Sequence, residues 1–161
     1  MLIDEHSFRE AMRNWATGVT IVTSEFEGDA HGMTVSSFSS VSAVPPVVCV
    51  SLNNQARTHQ LIQKSGKFAV SILEESQGAI SDCFAGRVPE EGNRFSGLDN
   101  FTIETKAPLI SGAIAFFDCK VIQQIGFGQN TVFFGEVLAL KAIDKGRPLL
   151  YSNRTYQSLH K

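Results

Sequence analysis

The sequence has little of what marks several large classes of protein. It contains three cysteines, Cys49, Cys83 and Cys119, and an odd number without a close pair argues against a disulfide framework or a cysteine-rich zinc site. The four histidines are scattered without metal-ligand spacing. No apolar run approaches about 18 residues, so no membrane-spanning helix is predicted. We therefore expect three buried or half-buried thiols and no metal centre.

Charge balance excludes further classes of function. The sequence has fourteen basic and sixteen acidic residues, which gives a formal net charge of −2. No excess of positive charge is therefore present to attract nucleic acid or an anionic membrane. Twelve phenylalanines accompany only two tyrosines and one tryptophan, which favours a filled core over a stacking platform for bases. The first residues, MLIDEHSFRE, are charged from position 4 and do not form a signal peptide, so a cytoplasmic location is expected.

The pattern that is present indicates one mainly β domain over residues 1–161. This length, with 43% hydrophobic and 19% charged residues, is typical of a single globular core. Helices are predicted over residues 7–18, with a capping box at Ser7 and Glu10, over 56–66 and over 74–86. Strands are predicted over residues 19–27, from 31 onward, and over 45–53, 67–73, 101–105, 113–126, 131–143 and 148–152. Because strands follow one another, an antiparallel barrel or sandwich is favoured.

Hydroxyl side chains are concentrated in residues 32–46, GMTVSSFSSVSAVPP. On a strand, Thr34 and Ser36 would lie on one face, and Val35 and Ser37 on the other. Small hydroxyls suit a flat ligand with polar edges, because each one both donates and accepts a hydrogen bond. The alternative is a serine-rich edge strand in solvent, and this stretch alone favours that alternative.

A polar stretch, SLNNQARTHQ over residues 51–60, leads from a strand into a helix start. Unpaired N–H groups at such a start attract anions, and the guanidinium of Arg57 adds further donors. A phosphate site and an ordinary start capped by asparagine, with Arg57 exposed, fit the stretch equally well.

Residues 87–100 form a polar stretch without periodicity, and loops of this length are usually functional or disordered. They carry Arg87, Arg94 and Phe95, which either close over a ligand or belong to a solvated loop anchored by the phenylalanine. The sequence contains no GxSxG elbow and no phosphate-binding loop of the NTPase type.

The order and spacing of these segments resemble the short-chain flavin reductases, the reductase components of two-component flavin-dependent monooxygenases. The resemblance runs from FREAMRNWATGVTIVT through HGMTVSSFSSVSAVPPVVCVSL and FAVSIL to FAG, FFGEV and PLLY. Its most specific part is the block over residues 16–52. The resemblance implies an FMN-binding split β-barrel, antiparallel and Greek-key-like, with short peripheral helices.

The resemblance also implies an activity: NAD(P)H-dependent reduction of FMN or FAD. In such enzymes the cofactors carry the hydride chemistry, and the protein supplies binding and orientation without a general acid or base. Two partners are implied as well. One is a second copy of the chain, in a homodimer with flavin sites near the interface. The other is a flavin-dependent oxygenase that receives the reduced flavin.

Four segments are assigned to flavin binding by the resemblance. The first follows the ring and ribityl chain, the second holds the phosphate end, the third borders the flavin, and the fourth is the loop that completes the site. The residues are Thr34, Val35, Ser36 and Ser37; Ser51, Leu52, Asn53, Asn54, Gln55, Arg57 and Thr58; Phe84, Ala85 and Gly86; and Arg94 and Phe95. Phe38, Val41 and Val44 are expected to pack the first segment onto the barrel.

One position departs from the pattern of the family. Many relatives carry Gly-Asp-His-Thr before the FxGEV strand, and the histidine is associated with nicotinamide binding. Here the matching residues are Gly128, Gln129, Asn130 and Thr131. The amide of Asn130 can still hydrogen-bond a nicotinamide, but it supplies no imidazole. This departure keeps two alternatives open: a flavin-binding electron carrier without a nicotinamide site, and a split-barrel module for another cofactor such as haem.

Overall fold

The computed structural model describes residues 3–89 and 92–159, and this part of the chain is mainly β. The helices are α1 (Glu5–Met12), α2 (Arg57–Ser65) and α3 (Gly78–Phe84). The strands are β1 (Thr17–Gly18), β2 (Thr20–Phe26), β3 (Asp29–Val35), β4 (Ser39–Ala43), β5 (Pro46–Asn53), β6 (Lys67–Ile72), β7 (Asn100–Phe101), β8 (Leu109–Ile110), β9 (Ala115–Phe127), β10 (Asn130–Ala142), β11 (Leu150–Ser152) and β12 (Thr155–Gln157).

Seven strands form the central antiparallel sheet, in the order β3-β2-β6-β9-β10-β5-β4. Although β3 and β4 are consecutive in the chain, they lie at opposite edges of this sheet. The edges of a flat seven-stranded sheet would be about 29 Å apart at about 4.8 Å per step. The link from Val35 to Ser39 reaches at most about 14 Å. The sheet therefore curls until its two edges approach each other.

Just before β4, a side chain takes the place of the backbone hydrogen bonds between two strands. In the register of β4 with β5, Ser39 lies opposite Cys49, so Ser37 falls opposite Ser51. The Ser37 hydroxyl donates to the Ser51 carbonyl at 2.9 Å and accepts from the Ser51 N–H at 3.0 Å. Both backbone groups of Ser51 on this side are thereby satisfied although β4 has not yet begun.

The core divides into two clusters because neighbouring residues of a strand face opposite sides of the sheet. Ile21 on β2 packs in a cluster with Phe84 and Phe116, while Val22 packs in another with Phe68 and Phe133. The second cluster depends on a close approach at Gly135 of β10. A Cβ atom there would lie 2.5 Å and 2.6 Å from atoms of the Phe68 ring, so only glycine lets that ring lie against β10.

Most strand predictions are confirmed. The hairpin of β2 with β3 and the long hairpin of β9 with β10 are present, and β5 begins at Pro46, where a missing N–H is tolerated. Helix α2 ends, as predicted, at Gly66, which adopts a left-handed conformation with φ of 66°. The three cysteines are free, with Cys49 and Cys83 half-buried and Cys119 buried.

The predicted bounds of the first helix are wrong. Helix α1 begins at Glu5 and ends at Met12, well before Gly18. Asp4, rather than Ser7, is the N-cap: its carboxylate accepts the Ser7 N–H at 2.9 Å and the Ser7 hydroxyl at 2.7 Å. These bonds stabilise the charged carboxylate and lower the pKa of Asp4.

The strand predicted over residues 101–105 is also mostly wrong, because β7 contains only Asn100–Phe101. The residues that follow bind a carboxylate instead of a neighbouring strand. Asp118 on β9 is fully buried and accepts the N–H of Glu104 at 2.7 Å, the N–H of Thr105 at 2.9 Å and the Thr105 hydroxyl. This segment is thus held by three hydrogen bonds to one buried side chain.

Three smaller differences concern residues 32–46 and α3. Strand β4 was not predicted as a separate element, and α3 begins at Gly78 rather than near residue 74. Phe38 packs against Phe117, with ring centroids 5.4 Å apart, as expected. Val41 and Val44, however, are 50% and 91% exposed and do not pack the segment onto the sheet. Both lie on or beside β4, the strand at one edge of the sheet.

The close approach at Gly135 predicts the effect of one added methyl group. Gly135→Ala should destabilise the protein by roughly 1–3 kcal/mol, because Phe68 must leave its position in a filled core. Gly126→Ala on the adjacent β9 is the matched control: its Cβ would meet nothing within 4 Å, so its effect should stay within about 0.5 kcal/mol. Urea unfolding measures both, and equal midpoints for the two variants would contradict the packing argument.

Candidate functional site

A cleft of about 480 Å³ opens where β3, the start of α2 and the end of α3 meet. It brings together six of the residues that the sequence predicted for the site, from three segments far apart in the chain and from the long loop. They are Thr34, Arg57, Thr58, Phe84, Ala85 and Arg94. The sequence prediction missed His31, Met33 and Ala56, which also line it. The period of two along β3 could have indicated His31 and Met33 together.

The start of α2 forms one wall of this cleft and is not capped by a side chain of any described residue. The N-cap is Ala56, which has no polar side chain. Asn53 instead accepts the N–H of Gln55 at 2.8 Å, so the ordinary start capped by asparagine is not what forms. The first N–H groups of α2 and the positive end of the helix dipole therefore lie at the cleft.

Arg57 stands beside this helix start in an exposed ion pair. Its Nη2 lies 2.6 Å from Oδ1 of Asp29, and the two side chains are 55% and 51% exposed. An ion pair this exposed contributes at most about 1 kcal/mol. The guanidinium can therefore exchange Asp29 for an anionic ligand at little cost.

The opposite wall is fastened by Arg94. Its Nη1 donates to the carbonyl of Gly32 on β3 at 3.0 Å and to the carbonyl of Phe84 on α3 at 2.9 Å. The long loop is thus tied to both elements at the edge of the cleft. Phe95 lines no part of the cleft. It packs edge-on against the Phe84 ring, with centroids 5.3 Å apart, so it is the anchor of the loop.

Gly32 lets β3 and α3 come this close together. A Cβ atom at Gly32 would lie 2.8 Å from the Phe84 ring and 2.9 Å from the methyl group of Thr23. Thr34 adds a second tie between the same elements, because its hydroxyl donates to the Ser81 carbonyl at 2.6 Å. The hydroxyl proton of Thr34 is therefore committed, and towards a ligand this side chain acts as an acceptor.

Strand β3 ends at Val35, so Ser36 and Ser37 lie beyond it. Thr34 and Ser36 line one pocket, as the alternation of faces predicts, but Ser36 and Ser37 also line one cleft together, which the alternation does not predict. The two serines line a second cleft of about 410 Å³ beside α1, together with Trp15. A smaller pocket of about 160 Å³, which contains both Thr34 and Ser36, lies between the two clefts.

The other predicted residues lie outside the first cleft, and several have structural partners. The side chains of Val35 and Leu52 are buried in the core, with 5% and 1% of their surface exposed. Gly86 has φ of 70° after α3, beside Arg94. The remaining residues, Ser51, Asn53, Asn54, Gln55 and Asn130, gather at the turn between β9 and β10.

Asn130 lies at that turn, opposite Asn53 in the register of β10 with β5. Its amide nitrogen is 3.4 Å from the Ser51 hydroxyl. The backbone N–H of Asn54 donates to the Gln129 carbonyl at 2.8 Å, so the polar stretch after β5 and the β9–β10 turn are joined directly. Asn130, the residue that departs from the family pattern, therefore borders residues 51–58, the segment predicted to hold the phosphate.

Arg87, the third notable residue of the long loop, belongs to a different cluster. It donates to Asp82 at 2.9 Å and to the hydroxyl of Tyr151 at 2.9 Å. Tyr156 donates to the same Asp82 oxygen at 2.7 Å, and burial raises the pKa of Tyr156. The guanidinium of Arg87 therefore joins α3 to the C-terminal strands and lines the small pocket rather than the first cleft.

Within residues 3–89 and 92–159, no helix is long and apolar enough to cross a membrane. No group of three or more histidine, cysteine, aspartate or glutamate side chains in this part of the chain is arranged to hold a metal ion.

Comparisons with known proteins agree with the resemblance found in the sequence. Residues 12–160 match the family model described as flavin reductase like domain. The NADH-dependent flavin reductase StyB of Pseudomonas fluorescens is 37% identical over 96% of this chain and 89% of its own. The reductase component of an FADH2-dependent resorcinol hydroxylase from a Rhizobium species is 37% identical over 93% and 84%.

A solved structure extends this likeness to three dimensions. The flavin reductase PheA2 in its native state superposes with a TM-score of 0.90 at 36% sequence identity, covering 99% of this chain and all of its own. The family model spans nearly the whole chain, and relatives and structure alike cover most of their own length. The chain therefore belongs to the flavin reductase like domain family.

Proposed function

We propose that this protein is an NAD(P)H-dependent flavin reductase that binds FMN or FAD in the cleft between β3, α2 and α3. Family membership supports the reaction class, and relatives with matching chains are named as NADH-dependent or as reductase components. The observation that carries the location is the uncapped start of α2 at the cleft wall, with Arg57 beside it. A phosphate group would satisfy those N–H groups and the guanidinium together.

The chemistry of the lining fits a flavin nucleotide in two further respects. Met33, Phe84 and Ala85 give the cleft apolar surface suited to a flat ring, while Thr34 and the first turn of α2 supply a few fixed polar groups. A flavin bound in this cleft would supply the hydride-accepting chemistry, with the nicotinamide as the hydride donor. The protein's residues bind and orient: Arg57 and α2 neutralise phosphate, and Thr34 accepts a hydrogen bond from the ligand.

The curled sheet supports a finer statement about the fold. We assign it to the FMN-binding split barrel, with residues 1–161 as one domain, because the short link between β3 and β4 requires the sheet edges to approach.

The second cleft, beside α1, is part of the same proposal. In a homodimer it would lie near the interface, since Phe8 and Trp15 expose 59% and 68% of their surface there.

The partner that would use the reduced flavin is a flavin-dependent oxygenase. The relative from Rhizobium is the reductase component of a hydroxylase, which supports a partner of this kind. The first cleft is open to solvent, and Arg57 at its edge is held by an exposed ion pair. The reduced flavin can therefore leave without unfolding of β3, α2 or α3.

A second candidate is a flavin-binding electron carrier that receives electrons from a protein. The observation that favours it is Asn130, which takes the place of a histidine common in the family and bonds weakly to Ser51. In that case the same cleft would hold flavin, but no nicotinamide would react there. A haem-binding module is disfavoured by the family match.

The two candidates differ in one steady-state measurement. The purified protein should oxidise NADH or NADPH only slowly alone, and added FMN or FAD should stimulate the rate, since flavin is the hydride acceptor. Absorbance at the nicotinamide band, with each of the four cofactor pairs, measures this and gives the preferred pair. Absence of stimulation by either flavin, in a sample that still binds flavin, would leave the electron carrier and eliminate the reductase.

Arg57 provides a test of the phosphate site. Arg57→Ala should weaken FMN binding by about 1.5–3 kcal/mol, or roughly ten- to hundredfold in Kd, because charge-assisted hydrogen bonds are lost. Arg57→Lys should recover part of the loss by charge alone. Isothermal titration measures both.

Arg147→Ala is the matched control for this substitution. Arg147 is 52% exposed, forms an ion pair of the same length, 2.6 Å, with the half-buried Glu75 and lies outside the first cleft. Its removal should leave the Kd for FMN unchanged. A Kd for Arg57→Ala equal to that of this control would show that Arg57 is a surface residue without a role in binding.

A further inference from the structure

His59, which the sequence does not mark as a site residue, joins α2 to the start of β10. His59 is buried, with 7% of its surface exposed. Its Nε2 lies 3.0 Å from the hydroxyl of Thr131, and its ring packs against Phe133 with centroids 5.2 Å apart. Because alternate residues of a strand share a face, Thr131 and Phe133 present one surface of β10 to this helix.

The direction of each hydrogen bond in this network can be assigned. The Thr131 hydroxyl is 2.8 Å from Oδ1 of Asn54, and the orientation of that amide follows from its nitrogen, which donates to the Gly128 carbonyl at 3.4 Å. An amide oxygen only accepts, so Thr131 donates its single proton to Asn54. The Thr131 oxygen must then accept from His59, whose Nε2 therefore carries the proton.

The other ring nitrogen favours the same neutral form. Among the described residues, Nδ1 of His59 has no hydrogen-bond partner. A second proton on the ring would place an unpaired N–H in a buried position. Burial correspondingly lowers the pKa of His59. The hydrogen-bond geometry therefore assigns the donor to Nε2 of a neutral ring.

The network ends at the turn that precedes Asn130. Asn54 holds the turn by two bonds, from its side chain to the Gly128 carbonyl and from its backbone N–H to the Gln129 carbonyl at 2.8 Å. Gly128 has φ of 55°, a left-handed conformation that glycine adopts readily and that forms this turn. The chain of contacts therefore runs from α2 through His59, Thr131 and Asn54 to the β9–β10 turn.

We propose that His59 is a positioning residue that holds the β9–β10 turn, and with it Asn130, in the geometry that receives the nicotinamide. This inference rests on the proposed reductase function. The same helix begins at the wall of the first cleft that is proposed to bind phosphate, so His59 joins that wall to the β9–β10 turn. His59 itself touches neither substrate, and it acts through Thr131 and Asn54.

The first test compares two substitutions of His59. His59→Leu removes the donor and should raise the KM for NADH by roughly three- to tenfold, the effect of one lost hydrogen bond, with little change in the Kd for FMN. His59→Gln keeps an N–H donor on a side chain of similar reach and should restore KM to within about twofold. A glutamine variant as impaired as the leucine variant would overturn the proposal.

Thr131→Val is the second variant, and it tests the same hydrogen bond if His59→Leu does not fold. It removes the shared hydroxyl and should raise KM by a similar factor, and the double variant should be no worse than either single one. Ser24→Ala is the control. It removes a buried hydroxyl with two partners, at 3.0 Å on Ser65 and 2.9 Å on Lys67, remote from the turn. An equal rise in KM for this control would show a merely structural effect.

A readout without cofactors separates this inference from the proposed function. Hydrogen exchange of the amides in residues 126–131 should quicken in His59→Leu and Thr131→Val but not in His59→Gln or Ser24→Ala. Nitrogen NMR should show a proton on Nε2 of His59 and none on Nδ1. Unchanged exchange or unchanged KM in an active enzyme overturns the positioning role alone, whereas a wild-type protein inactive with both nicotinamides overturns it together with the reductase assignment.

Discussion

The architecture depends on the three-residue link between β3 and β4. These strands occupy the two edges of a seven-stranded sheet, and a link over residues 36–38 cannot span the width of that sheet if it is flat. The sheet must curl, and the curl brings β3 near β5 and α2. Ser37 completes this junction by bonding both backbone groups of Ser51 with one hydroxyl. The serine-rich stretch therefore mainly joins the two edges of the sheet, and of its residues Met33 and Thr34 line the first cleft while its serines do not.

The same curl explains why the site lies where it does. Strand β3 carries one wall, α2 begins at the second, and α3 ends at the third, with Gly32 and Arg94 allowing and fastening their approach. None of the three elements is a binding site alone. An uncapped helix start becomes useful to an anion because β3 and α3 enclose it and supply apolar surface. Residues far apart in sequence therefore act together only after the sheet has closed.

Local patterns were sufficient for much of this fold. The alternation in β9 and β10, the periodic residues of α2 and the glycine at its end specify elements without reference to partners. Failures arise where a group other than the partner expected from the local pattern takes the hydrogen bond. Asp118 takes the N–H groups of Glu104 and Thr105, which local pattern assigned to a strand, and Asn53 turns to Gln55 and leaves α2 uncapped. His59 was missed for the same reason, because nothing near it in sequence indicates Thr131.

The central claim is that the first N–H groups of α2, Arg57 and Thr34 together hold a flavin nucleotide. A crystal structure of the protein with FMN tests it most directly. We expect phosphate density at the start of α2, within hydrogen-bond distance of the Arg57 guanidinium, and the ring between Thr34 and Ala85. FMN bound elsewhere, with this cleft unchanged and the Arg57–Asp29 pair intact, would show that this cleft is not the flavin site.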